Sequence, residues 1–187
     1  MTRIIGGSAG GRRLRTPPGT RTRPTADRVR EALFSSFESR LGSLEGLAFL
    51  DLYAGSGAVG LEARSRGARP VTLVEQVGRT AALIEQNVRA LGFDHVLVVH
   101  TTVGRHLAGP ARQQVDVVFL DPPYSDPADQ VRSDLEALGS GGWLHPDAVV
   151  VVERSSRDRE PFWPDAYAPD RERRYGETAL HTAQWPG

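Results

Sequence analysis

Leu47-Ala48-Phe49-Leu50-Asp51-Leu52-Tyr53-Ala54-Gly55-Ser56-Gly57-Ala58-Val59-Gly60 is the stretch on which the reading of this chain turns. Leu47 to Leu52 has the length and apolar content of a buried strand, and Ala58 to Arg66 continues at helical spacing. The glycines therefore sit at a strand-to-helix turn. Gly55, Gly57 and Gly60 satisfy G-x-G-x-x-G, and Glu75 follows at the end of the next apolar run. Glycines let backbone approach a ligand closely, and an acid at that second strand end accepts hydrogen bonds from ribose hydroxyls.

Outward from this corner the same unit repeats. Strands are predicted at Val71 to Glu75, Val96 to His100, Val115 to Leu120 and Ala148 to Glu153, with helices near Arg79 to Leu91 and Pro127 to Leu138. Apolar strands alternating with helices imply a parallel sheet covered on both faces, an α/β Rossmann-like fold. Past Pro161, Arg173 to Tyr175 and Thr178 to Gln184 read as a closing antiparallel pair around Gly176, which brings the sheet to seven strands. Upstream, Val29, Ala32, Leu33 and Phe37 recur at helical spacing, predicting a helix over Ala26 to Arg40 with Thr25 as its N-cap. The first two dozen residues, broken by Gly6-Gly7, Gly10-Gly11 and Pro17-Pro18-Gly19, read as a loose hairpin or arm. The division expected is an arm over 1–24 and one catalytic domain over 25–187.

The glycine corner suits more than one adenosine cofactor. A carboxylate at Asp51, four residues before the first glycine, gives nothing to the anionic pyrophosphate of a nicotinamide dinucleotide. It favours a cationic ligand, and S-adenosylmethionine carries both a sulfonium and an ammonium group. The structural alternative is that Asp51 merely caps the turn and Glu75 is a solvated strand end.

Asp121-Pro122-Pro123-Tyr124 ends the strand at Val115 to Leu120, so it falls beside the glycine loop at the carboxyl edge of the sheet. An exocyclic amine on a nucleobase is a poor nucleophile, because its lone pair is delocalised into the ring. Asp121 and the Pro122 carbonyl can accept its two hydrogens and align the lone pair for direct transfer, with Pro123 stiffening the turn. Tyr124 offers a face on which an unstacked base can rest. The bland alternative is an ordinary turn after a buried strand.

Composition narrows the field. No apolar run has the length of a membrane span, and Met1 to Gly7 lacks a signal-peptide core, which places the protein in the cytoplasm. The absence of cysteine excludes disulfide scaffolds, thiolate–zinc sites and thiol nucleophiles, and the five scattered histidines show no ligand spacing, so no metal is expected. Net charge is zero, yet Arg3, Arg12, Arg13, Arg15, Arg21, Arg23, Arg28 and Arg30 face a single acid, Asp27, in the first thirty residues. Such a basic segment on an acidic body suits a polyanion-binding enzyme.

Arg23-Pro24-Thr25-Ala26-Asp27-Arg28-Val29-Arg30-Glu31-Ala32-Leu33-Phe34, Asp51 to Ala68, Val74-Glu75, Asp121 to Tyr124 and Arg174 to Thr178 together resemble the RsmD-type 16S ribosomal RNA guanine-N2 methyltransferases. The resemblance implies a class I S-adenosylmethionine-dependent methyltransferase fold with an antiparallel C-terminal hairpin, acting on small-subunit rRNA or an assembly intermediate as a monomer. It implies cofactor contacts at Asp51, Tyr53, Gly55, Gly57 and Glu75, a flap near the methionine end from Thr25 to Arg30 that includes Arg28, and a target-base site at Asp121, Pro122, Pro123 and Tyr124. RNA contacts are expected from Arg3, Arg12, Arg13, Arg15, Arg21 and Arg23. The chain departs from the family at Ser35, where an asparagine is usual, and at Thr101-Thr102, where the wider superfamily often has an acid for the adenine amine. Three other readings stay open: an adenine-N6 or cytosine-N4 methyltransferase, a nicotinamide-dependent oxidoreductase, and a non-catalytic RNA-binding module.

Overall fold

A computed structural model describes residues 2–17, 24–159 and 162–187, with the backbone alone for 24–26. In chain order the elements are β1 (Thr2–Arg3), β2 (Arg13–Leu14), α1 (Pro24–Leu41), β3 (Phe49–Leu52), α2 (Ala58–Ser65), β4 (Val71–Glu75), α3 (Gly78–Leu91), β5 (Val96–His100), α4 (Val103–Leu107), β6 (Val115–Leu120), α5 (Ala128–Ser140), β7 (Leu144–Ser155), β8 (Ala168–Tyr175) and β9 (Thr178–Gln184). β3 to β7 form a parallel sheet, and β9 inserts antiparallel between β7 and β8, giving the order β5-β4-β3-β6-β7-β9-β8. The order reverses between β3 and β6. That is where an open α/β sheet leaves a crevice at its carboxyl edge.

Alternating side chains build two cores. Leu50, Leu52, Val74, Val118, Leu120, Val150 and Val152 pack with α4 and α5 on one face. Phe49, Val71, Leu73, Val117, Phe119, Val149 and Val151 pack with α1, α2 and α3 on the other. Burial on both faces explains why the strands read as continuous apolar runs. In α1 the Val29, Leu33 and Phe37 stripe is buried together with Phe34, which stacks on Phe49 at 6.5 Å between ring centroids. The helix opens at Pro24 and not after a Thr25 cap. Proline suits a first helical position, where its missing N–H would have no intrahelical partner.

Two elements differ from expectation. α4 is absent from the sequence reading because it is a single turn, started by the Thr102 hydroxyl accepting from Arg105 N–H at 3.3 Å. The N-terminal segment, expected to be loose, is docked over residues 2–17: Ile4, Ala9 and Leu14 are buried against Leu61 of α2. Ile5 and Gly6 donate backbone N–H bonds to the Glu62 carboxylate at 2.6 and 2.8 Å, and Ala9 N–H donates to the Ser65 hydroxyl. Arg15 exchanges two backbone bonds with the Asn87 side-chain amide, which stands in for a strand partner.

Candidate active site

The carboxyl edge of the sheet carries a row of functional side chains. Register pairs Val74 with Leu52, Leu52 with Leu120 and Leu120 with Val152. Glu75, Tyr53, Asp121 and Glu153 are each one residue further, so they stand abreast across β4, β3, β6 and β7. All four line a cavity of about 450 Å³, with Gly55, Gln76, Thr101, Val103, Pro122, Pro123 and Tyr124 completing its wall. A larger hollow of about 690 Å³ under β5 and Trp143 is mostly apolar and holds none of these acids.

The glycine loop divides its labour. Gly55, with φ of 54°, is the glycine at the cavity wall. Gly57 and Gly60 do not line that wall. A Cβ on Gly57 would press on Ile84 and Leu73, and one on Gly60 would lie 2.7 Å from Leu73. These two glycines let α2 pack close to β4. Glu75 is buried and accepts from Gly55 N–H at 2.9 Å and Val77 N–H at 2.7 Å. It thus holds the loop while facing the cavity, and is not a solvated strand end.

Asp51 lies within β3, before the loop. It is 1 % exposed, lies off the cavity wall and accepts from Gly60 N–H at 2.8 Å, capping the first turn of α2. Burial pushes its carboxyl up to about 8, and the nearby charges of Asp121 and Glu75 push in the same direction. Asp51 therefore stands behind the loop, its charge disfavoured by two acids that do reach the cavity. Burial likewise raises Asp121 to about 6.

Tyr53 adopts φ of 64°, a left-handed conformation that costs a non-glycine residue about 1 kcal/mol or more. The twist carries its ring toward α5, where the hydroxyl donates to Asp134 at 2.5 Å. Past β6, Asp126 N–H donates to the Pro123 carbonyl at 2.9 Å, and buried Arg154 donates to the Asp126 carbonyl at 2.9 Å. The Pro122 carbonyl takes no part in these loop bonds and is available beside Asp121. Tyr124 is 49 % exposed at the rim. Its hydroxyl donates to Glu153 at 3.4 Å and meets the Thr178 hydroxyl at 3.2 Å.

Of the flap residues, Arg28 is exposed and does not line the cavity, while the apolar stripe of α1 packs on the sheet. Arg30 donates to the Arg3 carbonyl, which draws the start of α1 toward the hairpin. The Thr25 side chain, Arg21 and Arg23 lie outside the described residues. Arg12 donates to the Ala90 carbonyl near the end of α3, and Arg15 to the Gln86 side chain. Both helices of the corner begin beside the cavity, so this end of α3 is remote from it. Arg3 and Arg13 are exposed.

Sequence reading passed over Glu153, Gln76 and Arg154. Glu153 lay inside a predicted strand with no motif to mark it; its position one step beyond the last apolar pair was the available signal.

The Conserved hypothetical protein 95 family model matches residues 2–184. The chain is 34% identical to Ribosomal RNA small subunit methyltransferase D of Escherichia coli, over 97% of this chain and 89% of that protein. Its namesake in Haemophilus influenzae is 34% identical over 93% and 89%. Among solved structures, the Escherichia coli protein yhhF superposes with a TM-score of 0.87 at 31% identity, covering 100% and 98%. A Thermus hypothetical protein, TTHA0928, does so with 0.81 at 32%, covering 97% and 98%.

Proposed function

Since the chain belongs to the Conserved hypothetical protein 95 family, we propose that it transfers a methyl group from S-adenosylmethionine to the N2 amine of a guanine in small-subunit rRNA. The observation that carries this reading is the acid row: Glu75 and Asp121 line the cavity and their charges raise the cost of charge on Asp51 behind it. A cavity walled by carboxylates is matched by a cationic ligand and repels a pyrophosphate, which weighs against a nicotinamide cofactor. The names of the curated relatives supply the rRNA.

S-adenosylmethionine, when bound, supplies a methyl group activated by a positive sulfur. Glu75 accepts hydrogen bonds from ribose hydroxyls with the lone pairs not used by Gly55 and Val77. Asp121 and the Pro122 carbonyl accept the hydrogens of the target amine and hold its lone pair in line with the methyl carbon. Asp121 then keeps the proton that the amine gives up, so charge balances without a metal. Tyr124 stacks on the base and shields it from water. Arg3 and Arg13 lead to phosphate, with Arg21 and Arg23 as further candidates, while Arg12 and Arg15 serve the hairpin.

Glu75→Ala is expected to raise the dissociation constant of S-adenosylmethionine about 10- to 100-fold in calorimetric titration, since it removes a charged acceptor and frees the loop. An unchanged constant would remove Glu75 from the cofactor site. The reaction itself is tested by incubating the protein and labelled S-adenosylmethionine with unmethylated small subunits, free rRNA and duplex DNA, then digesting to nucleosides for mass spectrometry. N2-methylguanosine is the expected product; methyladenine or methylcytosine would overturn the guanine reading. In the same assay Arg3→Gln with Arg13→Gln should weaken RNA saturation and flatten its salt dependence.

A further inference from the structure

One carboxyl on the cavity wall has no part in the chemistry above. Pairing of Leu120 with Val152 sets Glu153 beside Asp121 on adjacent parallel strands, spaced about 4.8 Å. Tyr124, the stacking ring, reaches Glu153 with its hydroxyl and is steadied on its other side by Thr178 of β9. A base resting against Tyr124 therefore lies in the cavity that both acids line. Burial and the Asp121 charge push the Glu153 carboxyl up to about 8, so its carboxylate form, the pure acceptor, is the one present at alkaline pH.

Base chemistry supplies that donor in one case. Guanine N2, adenine N6 and cytosine N4 are all exocyclic amines. In guanine the Watson–Crick ring nitrogen beside the amine, N1, bears a hydrogen, whereas adenine N1 and cytosine N3 present a lone pair. Three neighbouring acceptors therefore fit guanine: Asp121 and the Pro122 carbonyl take the amine hydrogens, and Glu153 takes N1–H. The other two bases would turn a lone pair against a carboxylate. Accepting N1–H also leaves more electron density on N2, the attacking atom.

We propose that Glu153 is the specificity residue that selects guanine, by accepting the N1–H adjacent to the methylated amine. The proposal rests on the guanine-N2 reading and adds to it the residue that discriminates among bases. Its test is an RNA spanning the guanosine identified by the nucleoside assay, assembled as that assay requires, with the target either guanosine or 2-aminopurine riboside. 2-Aminopurine keeps the same amine but has a lone pair at N1. At alkaline pH, where Glu153 is charged, the natural protein should prefer guanosine by about 100-fold in kcat/KM, the size of a charge-assisted bond lost and a lone pair opposed. In Glu153→Gln the amide oxygen still accepts from guanine and the amide nitrogen donates to 2-aminopurine. The preference should fall to a few-fold while the dissociation constant of S-adenosylhomocysteine stays the same. A purely structural role would lower both rates together and leave the ratio intact. Equal rates with the natural protein, or one ratio shared by both proteins, would overturn the assignment. Failure of the natural protein to methylate either RNA would overturn the guanine-N2 reading beneath it.

Discussion

Asp121→Ala is expected to lower methyl transfer by about 1,000-fold or more while leaving the dissociation constant of S-adenosylmethionine within a few-fold of its natural value. Removing a preorganised group aimed at the reacting centre costs about 100- to 1,000-fold, and loss of the proton acceptor adds to it. Cofactor affinity is spared because Asp121 sits on the β6 side of the row, while Glu75 and Gly55 form the opposite wall. Single-turnover kinetics and calorimetry on the same preparation separate the two quantities. A fall in cofactor affinity as large as the fall in rate would place Asp121 at the cofactor and not at the amine. The natural protein carries a related signature. Because burial lifts the Asp121 carboxyl to about 6, its charged form is present above that pH, and activity is lost as pH falls through it.

Glu62→Ala is expected to destabilise the fold by about 3–5 kcal/mol, the largest effect on stability we anticipate from one side chain. Glu62 is fully buried in α2 and accepts from Ile5 N–H, Gly6 N–H and the Arg66 guanidinium, the last at 2.9 Å. Arg30 Nε stands 3.8 Å away, buried without a hydrogen-bond partner among the described residues, so Glu62 shares with Asp27 the neutralising of this guanidinium. Alanine strands two backbone donors and takes a buried carboxylate from Arg66 and Arg30, which keep only Glu38 and Asp27 as acidic partners, and each buried unsatisfied group carries its own desolvation cost. Urea denaturation should show a lower midpoint with little change in slope. A midpoint within experimental error of the natural protein would mean that the hairpin contributes nothing to the fold. The same result would restore the reading of residues 2–17 as a loose arm.

That arm shows where a linear reading stops. Six arginines and no acid, set among glycines and prolines over residues 1–24, describe a basic, turn-rich segment, and nothing within five or ten residues of Ile4 announces a partner. The partners are Leu61, Glu62 and Ser65, more than fifty residues away. On the helix pattern of α2, Glu62 looks like any solvent-facing acid. Its burial comes with the docking of Ile5 and Gly6, which lie between β1 and β2, and with Arg30 and Arg66 beside it.

The candidate site was legible to the extent that it is built from local turns. Gly55, Glu75 and Asp121 to Tyr124 each follow an apolar strand, and strand ends in a parallel sheet must meet at one edge. Roles within the motif were less legible. Asp51 and Gly57 belong to the same local signature as Gly55, yet one caps a helix and the other makes room for Ile84 and Leu73. Strand parity and packing distance, not spacing along the chain, decide which member faces the ligand.

By itself, the sequence determined the alternation of strands and helices, the seven-stranded sheet with its antiparallel end, and the edge at which the chemistry lies. Those follow from hydrophobic period and turn residues, which act over a few residues of chain. Only the tertiary structure decided that Glu153 stands beside Asp121, that Asp51 works from behind the loop, and that the basic segment is bound through Glu62. Those depend on strand register and on contacts between distant residues, where burial sets the cost of every unpaired charge.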